Sequence, residues 1–142
     1  MTSASTAERE TTTAPTPARS KLYSTLIGLA ALAVLLQGLW AGLFVQEGQD
    51  YQQFWVEVHA RGAEISIALA AAATITAYVK LRARRDLLIG SAVLTVLLML
   101  EAYLGGLIGD SPAVTAVHFP LALALTALVV WLPLRARRSA SR

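Results

Sequence analysis

Four long apolar runs with few charged positions dominate the pattern of hydrophobic and polar residues along the chain. They extend from Leu22 to Val45, from Ala60 to Val79, from Leu87 to Ile108 and from Ala113 to Leu132. Each run reaches or approaches the roughly 20 residues that a helix needs to cross a hydrocarbon layer of about 30 Å. The pattern predicts four transmembrane helices, and 142 residues leave almost no room for a soluble domain.

The composition supports a membrane setting, because 56% of the residues are hydrophobic and the mean hydropathy is +0.56. A soluble domain of this size would not carry so many apolar residues in uninterrupted runs. The chain therefore divides into a transmembrane domain over residues 21–135 and two tails. Residues 1–20, rich in Thr, Ala, Ser and Pro, are predicted to be disordered, and residues 136–142 to form a basic cytoplasmic tail. The first apolar run lacks a cleavage site, so it is expected to remain as an anchor.

The basic residues predict the orientation. With the four helices placed as above, eleven of the twelve Lys and Arg residues fall on one side and only Arg61 on the other. By the positive-inside rule, both termini are cytoplasmic in the cell membrane, and the loops over residues 46–58 and 109–112 face outward. Topology and contact with anionic lipid then account for the net charge of +3. No nucleic-acid partner is expected. The eleven are Arg9, Arg19, Lys21, Lys80, Arg82, Arg84, Arg85, Arg135, Arg137, Arg138 and Arg142.

The chain contains an internal repeat. The segment Gln37–Phe44 reappears 64 residues later as Glu101–Ile108, and each copy precedes a loop, one histidine and an apolar run. This repeat predicts an all-α, four-helix transmembrane bundle built from two parallel-repeat helical hairpins, with both termini inside. A pseudo-two-fold axis along the membrane normal would make His59 and His118, which are the only histidines, face each other.

Two imidazoles that face each other across a four-helix bundle are the arrangement that holds a haem iron from both sides. Because the chain has no cysteine, such a haem would be bound without covalent attachment, as haem b. At the helical rise of 1.5 Å per residue, His59 lies about 31 Å above Lys80 and His118 about 26 Å above Arg135. Structural or proton-handling roles are the alternatives for the pair. A zinc site would need Glu57 and Glu64 as further ligands.

Two charged residues accompany the histidines. Glu101 lies inside the third helix, where a bare carboxylate is costly, so it either contacts a proton path, quinone or porphyrin, or forms an interhelical hydrogen bond with Gln37. Arg61 is a candidate partner for haem propionates, and Glu64 competes for it at the i, i+3 spacing. The pair Ser111 and Pro112 is typical of a helix start and predicts that helix four begins there and contains Pro120.

These stretches resemble one four-helix half of the haem A synthase family, in which a helix ending in a Gln-x-x-Leu-Gly-Gly-like sequence precedes a loop and a histidine. The matching segments are Gln37–Leu43 with His59–Ala63, and Glu101–Leu107 with His118–Ala122. They also resemble small uncharacterised four-helix bacterial membrane proteins with the same pattern. The resemblance implies paired histidine ligands to haem. The chain departs from the family in having one half, Glu101 in place of Gln, and Ala60 between His59 and Arg61.

The sequence favours a membrane protein that binds one b-type haem between His59 and His118 near the outer face, for electron transfer or haem handling. Its expected partners are the lipid bilayer and either a second copy or a larger membrane complex. An alternative is a haem-free structural or accessory subunit of such a complex. A second alternative is a dimeric haem-modifying enzyme related to haem A synthase, with Glu57 or Glu101 as its acid. A non-enzymatic role is preferred, because one half cannot supply two haem sites.

Overall fold

The computed structural model describes residues 20–45, 49–109 and 111–138, with the side chains of residues 49–52 and 138 excepted. Within these ranges the chain forms four α-helices and no strand: α1 (Lys21–Val45), α2 (Gln49–Lys80), α3 (Arg85–Gly106) and α4 (Pro112–Arg138). All four are long and apolar enough to cross a membrane. The predicted all-α fold with four spans is therefore confirmed, and the chain is a multi-pass membrane protein. The tail predicted to be disordered lies almost wholly outside the described residues.

Helix α2 differs most from the prediction. It begins at Gln49, so most of the segment that the sequence assigned to an outer loop is helical. Hydropathy marks where a helix enters the hydrocarbon layer, but it does not mark where the helix begins, and Gln and Glu are good helix formers. As a result, His59 lies well inside a helix and not at its start.

The connection between α3 and α4 is close to the prediction. Helix α3 ends at Gly106, and Gly109 has a φ of +102°, which favours glycine because a Cβ would be strained there. Ser111 caps α4 as expected: the Val114 amide lies 3.4 Å from its hydroxyl, and the helix begins at Pro112. Helix α4 continues through Pro120 and Pro133 to Arg138, six residues beyond the predicted end.

The helices are arranged as a ring. Each contacts the two helices beside it, and among the described residues the diagonal pairs α1 with α3 and α2 with α4 make no close backbone contact. The start of α1, the loop between α2 and α3 and the end of α4 meet at one end of the bundle, where they line a common cavity. The two histidine-bearing helices, α2 and α4, are thus diagonal to each other.

Burial divides the bundle into two halves. We call residues 20–34, 66–98 and 125–138 the basic half, and residues 35–65 and 99–124 the histidine half. Every buried hydrophobic side chain of the described residues lies in the basic half. The core there combines small residues of α2 with larger residues of the other helices. Its fully buried members with the largest side chains are Tyr23, Ile27, Leu81, Leu87, Leu94, Leu125, Leu132 and Val129.

The buried positions follow the same internal displacement as the sequence repeat. Tyr23, Ile27, Ala30 and Val34 of α1 correspond, 64 residues later, to Leu87, Ser91, Leu94 and Leu98 of α3, and all eight are buried. Ser66, Ala70, Ala73 and Ala77 of α2 correspond, 59 residues later, to Leu125, Val129, Leu132 and Ala136 of α4, which are also all buried. The second displacement equals the spacing between His59 and His118. The repeat of two hairpins stays a prediction, and a correspondence of this kind is what such a repeat would produce.

The carboxylate of Asp86 binds arginines from two separate elements in the basic half. Asp86 accepts two hydrogen bonds from Arg84, at 3.0 and 2.9 Å, and one of 3.0 Å from Arg135. Arg84 also approaches the backbone carbonyl of Arg135 at 3.4 Å. The bidentate contact to Asp86 raises the pKa of the Arg84 guanidinium above its ordinary value. These contacts connect the loop before α3 to the end of α4.

Candidate functional site

His59 contacts α1. Its Nδ1 lies 3.2 Å from the backbone carbonyl oxygen of Gln37, so the protonated Nδ1 donates to that carbonyl. The edge of the Phe44 ring meets the imidazole with 5.4 Å between centroids and an interplanar angle of 80°. Both contacts come from α1 and fix the plane of the His59 ring. With Nδ1 occupied, Nε2 is the atom left for another partner.

His118 contacts α3 in a related way. Its Nδ1 lies 3.1 Å from Glu101 Oε1, and the two side chains are only 12% and 13% exposed. The atoms are close but poorly aligned, so neither completes a hydrogen bond of good geometry. Gly105 makes room for the ring, because a Cβ at that position would lie 3.3 Å from His118 Cε1. The imidazole therefore packs against a bare patch of helix backbone.

The two histidines are equivalently placed. Gln37 and Glu101 are matching positions of the repeat, and each faces the histidine of the following helix. His59 precedes the buried Ser66 by seven residues, and His118 precedes the matching buried Leu125 by seven. The difference in depth inferred from the sequence disappears in this comparison, because Lys80 and Arg135 are not equivalent positions.

The site contains polar atoms without a partner. Among the described residues, the Gln37 side-chain amide and both Glu101 carboxylate oxygens are shielded from solvent and accept or donate no hydrogen bond. The predicted hydrogen bond between Gln37 and Glu101 is therefore wrong, because α1 and α3 are diagonal in the bundle. Buried polar groups of this kind cost free energy until a partner satisfies them.

Helices α1 and α2 pack tightly beside His59. A Cβ on Gly62 would overlap the Gln37 amide and the Trp40 indole, whose Cε3 would be 2.8 Å away. Gly62 thus allows the Trp40 ring to lie directly on the α2 backbone. This close approach holds the Gln37 carbonyl within reach of His59.

The remaining charged candidates lie apart from the histidines. Arg61 forms a 3.1 Å ion pair with Glu64, and the two side chains are 67% and 66% exposed. Arg61 thus contacts Glu64, the residue that was expected to compete with haem propionates for it. Glu57 is also exposed, along a shallow groove beside Trp40 and Phe54.

A metal site of three or more protein ligands is not formed by the described residues, since no group of three His, Cys, Asp or Glu side chains comes together. Glu57 and Glu64, which a zinc site would require, are both exposed. Two histidines alone fall short of the usual four zinc ligands. A haem iron, by contrast, needs only two axial ligands from the protein.

Sequence reasoning missed the Gln37 backbone carbonyl, Gly105 and Gly62 as members of the site. A sequence pattern cannot single out one backbone carbonyl, since every residue has one. Gly62 and Gly105 carry no side chain whose chemistry would mark them as members of a site. The signal for Gly105 was its place within the repeated segment, four residues after Glu101, where it shares a helix face with that residue.

No family model, no curated protein and no solved structure matches the chain. The function is therefore argued from the residues of the site alone.

Proposed function

We propose that this membrane protein holds one b-type haem between His59 and His118, for electron transfer or haem handling. The single observation that carries the proposal is the equivalence of the two histidines. They occupy matching positions on the diagonal helices α2 and α4, and each turns Nδ1 toward the matching residue, Gln37 or Glu101, of the preceding helix.

The chemistry of the donor set fits a haem. His59, which donates its Nδ1 proton to the Gln37 carbonyl, presents an unprotonated Nε2, and this is the atom that coordinates iron. His118 has the same orientation, with Nδ1 toward Glu101. The contact with Glu101 and that with the Gln37 carbonyl also orient the two rings. Haem, when bound, supplies a centre that accepts and gives up one electron.

The surroundings of the pair fit as well. The histidine half lacks the buried hydrophobic side chains that fill the basic half, and it contains polar atoms of Gln37 and Glu101 without partners. Gly105 lets the His118 ring lie close to the α3 backbone. A flat macrocycle between α2 and α4 would fill this half of the bundle with apolar surface, as core side chains fill the other half.

We infer the orientation from the charge pattern: the basic end faces the cytoplasm and the histidines lie toward the outer face of the cell membrane. The four helix ends that carry the basic residues lie together, which matches the segregation required by the positive-inside rule.

A haem-free role as an accessory subunit is the second candidate. It is favoured by the contacts of the histidines themselves, since His59 with Gln37 and His118 with Glu101 each connect neighbouring helices. An interhelical hydrogen bond such as that of His59 stabilises a membrane bundle by about 0.6 to 2 kcal/mol. In this role the histidines would need no ligand at Nε2.

Optical spectroscopy decides between the two. We expect protein purified in detergent after expression with sufficient haem to show a Soret band and, after reduction, the sharp visible bands of six-coordinate low-spin haem b. Protein that stays colourless after reconstitution with haem would contradict the proposal and favour the accessory subunit.

Substitution of each ligand sharpens the test. His59→Met and His118→Met should each leave a folded protein whose haem is weakly bound, high-spin or spectrally shifted, and the two should behave alike. Gln53→Met, at an exposed position of the same half, is the matched control and should keep the parent spectrum. An unchanged low-spin spectrum in either histidine variant would rule out ligation by this pair.

A further inference from the structure

A second cavity lies at the opposite end of the bundle from the histidines. Its volume is about 540 Å³, and it is lined by the first residues of α1, the loop before α3 and the last turns of α4. Three cationic side chains, Lys21, Arg84 and Arg137, contribute to the lining. The hydroxyl-bearing residues Ser20, Ser24 and Thr25 lie beside them. The cavity thus brings together groups that are distant in sequence and that all donate hydrogen bonds.

The charge at this cavity is unbalanced. Asp86 is the only carboxylate that contacts a cation at this end of the described chain, and it is already shared by Arg84 and Arg135. Lys21 and Arg137 form no ion pair with any described residue. Two cations therefore remain available on opposite sides of one cavity, on α1 and α4.

The floor of the cavity is apolar. Tyr23, Leu81, Leu87 and Ala136, all buried, lie beneath the cationic rim. Lys21 and Arg137 lie at the ends of two membrane-spanning helices, where the hydrocarbon layer gives way to the headgroup region. An apolar floor below a cationic rim at that depth suits an amphiphile and not a fully hydrated ion.

We propose that this cavity binds the phosphate group of an anionic lipid. A phosphate presents several strong acceptor oxygens, which match the ammonium of Lys21 and the guanidinium of Arg137. Arg84 adds positive charge beside them, although its Nε and Nη2 already donate to Asp86. Bound there, the lipid joins the start of α1 to the end of α4. The inference is independent of haem.

The test measures lipid preference of the full-length protein. Protein in mixed micelles of phosphatidylglycerol and phosphatidylcholine is transferred to native mass spectrometry, and the retained lipids are counted. We expect one phosphatidylglycerol to be retained preferentially. In Lys21→Gln/Arg137→Gln this preference should fall by about fivefold for each cation removed.

Two further variants keep the result interpretable. Arg82→Gln/Arg85→Gln removes the same charge at the same end from exposed residues outside the cavity, and it should keep the preference. Lys21→Arg/Arg137→Lys keeps the charge, and it should keep the preference as well. Helical content of all three variants is measured by circular dichroism, which separates loss of binding from loss of folding.

An equal fall in both neutralised variants would overturn the proposal, since it would reduce the effect to general surface charge. A parallel titration with inorganic phosphate identifies the source of the phosphate group. Stabilisation of the parent protein by phosphate at millimolar concentration, with no preference among lipids, would overturn the lipid assignment in favour of a free phosphate.

Discussion

The basic half and the histidine half are built from equivalent segments of the same four helices, yet they differ in what fills them. In the basic half, small residues of α2 such as Ala73 and Ala77 belong to the same buried cluster as large residues of α4 such as Leu132, and side chains fill the interior. In the histidine half no described hydrophobic side chain is buried, and polar atoms of Gln37 and Glu101 lack partners. A membrane bundle gains its stability from close packing and satisfied polar groups, and this difference is why we propose the ligand site in the histidine half.

The ionic contacts of the two halves differ as their packing does, with the stronger contact in the basic half. Asp86 bridges two arginines from separate elements, whereas Glu64 pairs with Arg61 one turn away on the same helix and in an exposed position. The first contact joins parts of the fold, and the second adds only local support to α2. The basic half is thus the structural end of the molecule, and the histidine half carries the candidate site.

The largest expected effect concerns which half faces the cytoplasm. A reporter fused after Arg142 should be active only as a cytoplasmic reporter, and one inserted after Gly48 only as an exported reporter. The reason is the charge pattern, since the predicted topology puts eleven of the twelve basic residues on one side. The reverse pattern of activities would place the histidine half at the cytoplasmic face.

The next effect tests the packing of the two halves on one helix. Leu132→Ala removes a side chain with 0% exposure and should lower the free energy of unfolding by roughly 2 to 4 kcal/mol, because a cavity remains. Leu123→Ala, at 73% exposure on the same helix, should change it by less than about 0.5 kcal/mol. Equilibrium unfolding in detergent measures both. Equal losses would show that the basic half owes no special stability to its core.

A third prediction uses the glycines of the histidine half. Gly62→Ala places a methyl group against the Trp40 ring and should destabilise the protein by about 1 to 3 kcal/mol. Gly38→Ala, where a Cβ meets nothing within 4 Å, should be neutral or stabilising by up to about 1 kcal/mol. The two thermal unfolding midpoints are compared. An unchanged unfolding midpoint for Gly62→Ala would show that the spacing of α1 and α2 beside His59 can adjust to a methyl group.

The smallest effect compares the two ionic contacts. Asp86→Asn leaves Arg84 and Arg135 without their shared carboxylate and should cost about 1 kcal/mol of stability. Glu64→Gln removes the exposed pair with Arg61 and should cost at most about 0.5 kcal/mol. Unfolding measured at low and high salt checks the order, since screening weakens the exposed pair more. A larger cost for Glu64→Gln would reverse our assignment of the structural end.

Several parts of the fold could be predicted from sequence for local reasons. Transfer of an apolar run into hydrocarbon is a property of that run, so the four spans were correct. The start of α4 was correct because Ser111 and Pro112 determine it by their own backbone preferences. The start of α2 was missed by about eleven residues, since the polar segment from Gln49 is helical without being apolar.

The sequence by itself determined the number and type of elements, the repeat and the two residues around which the candidate site is built. Only the tertiary structure decided which groups these residues meet: the Gln37 carbonyl for His59, Glu101 and Gly105 for His118, and Glu64 for Arg61. The same holds for the bridge at Asp86 and the cavity at the basic end. The physical reason is the distance along the chain over which each effect acts. Hydropathy and helix propensity act within a segment, whereas side-chain contacts depend on how helices far apart in the chain are rotated and spaced against each other.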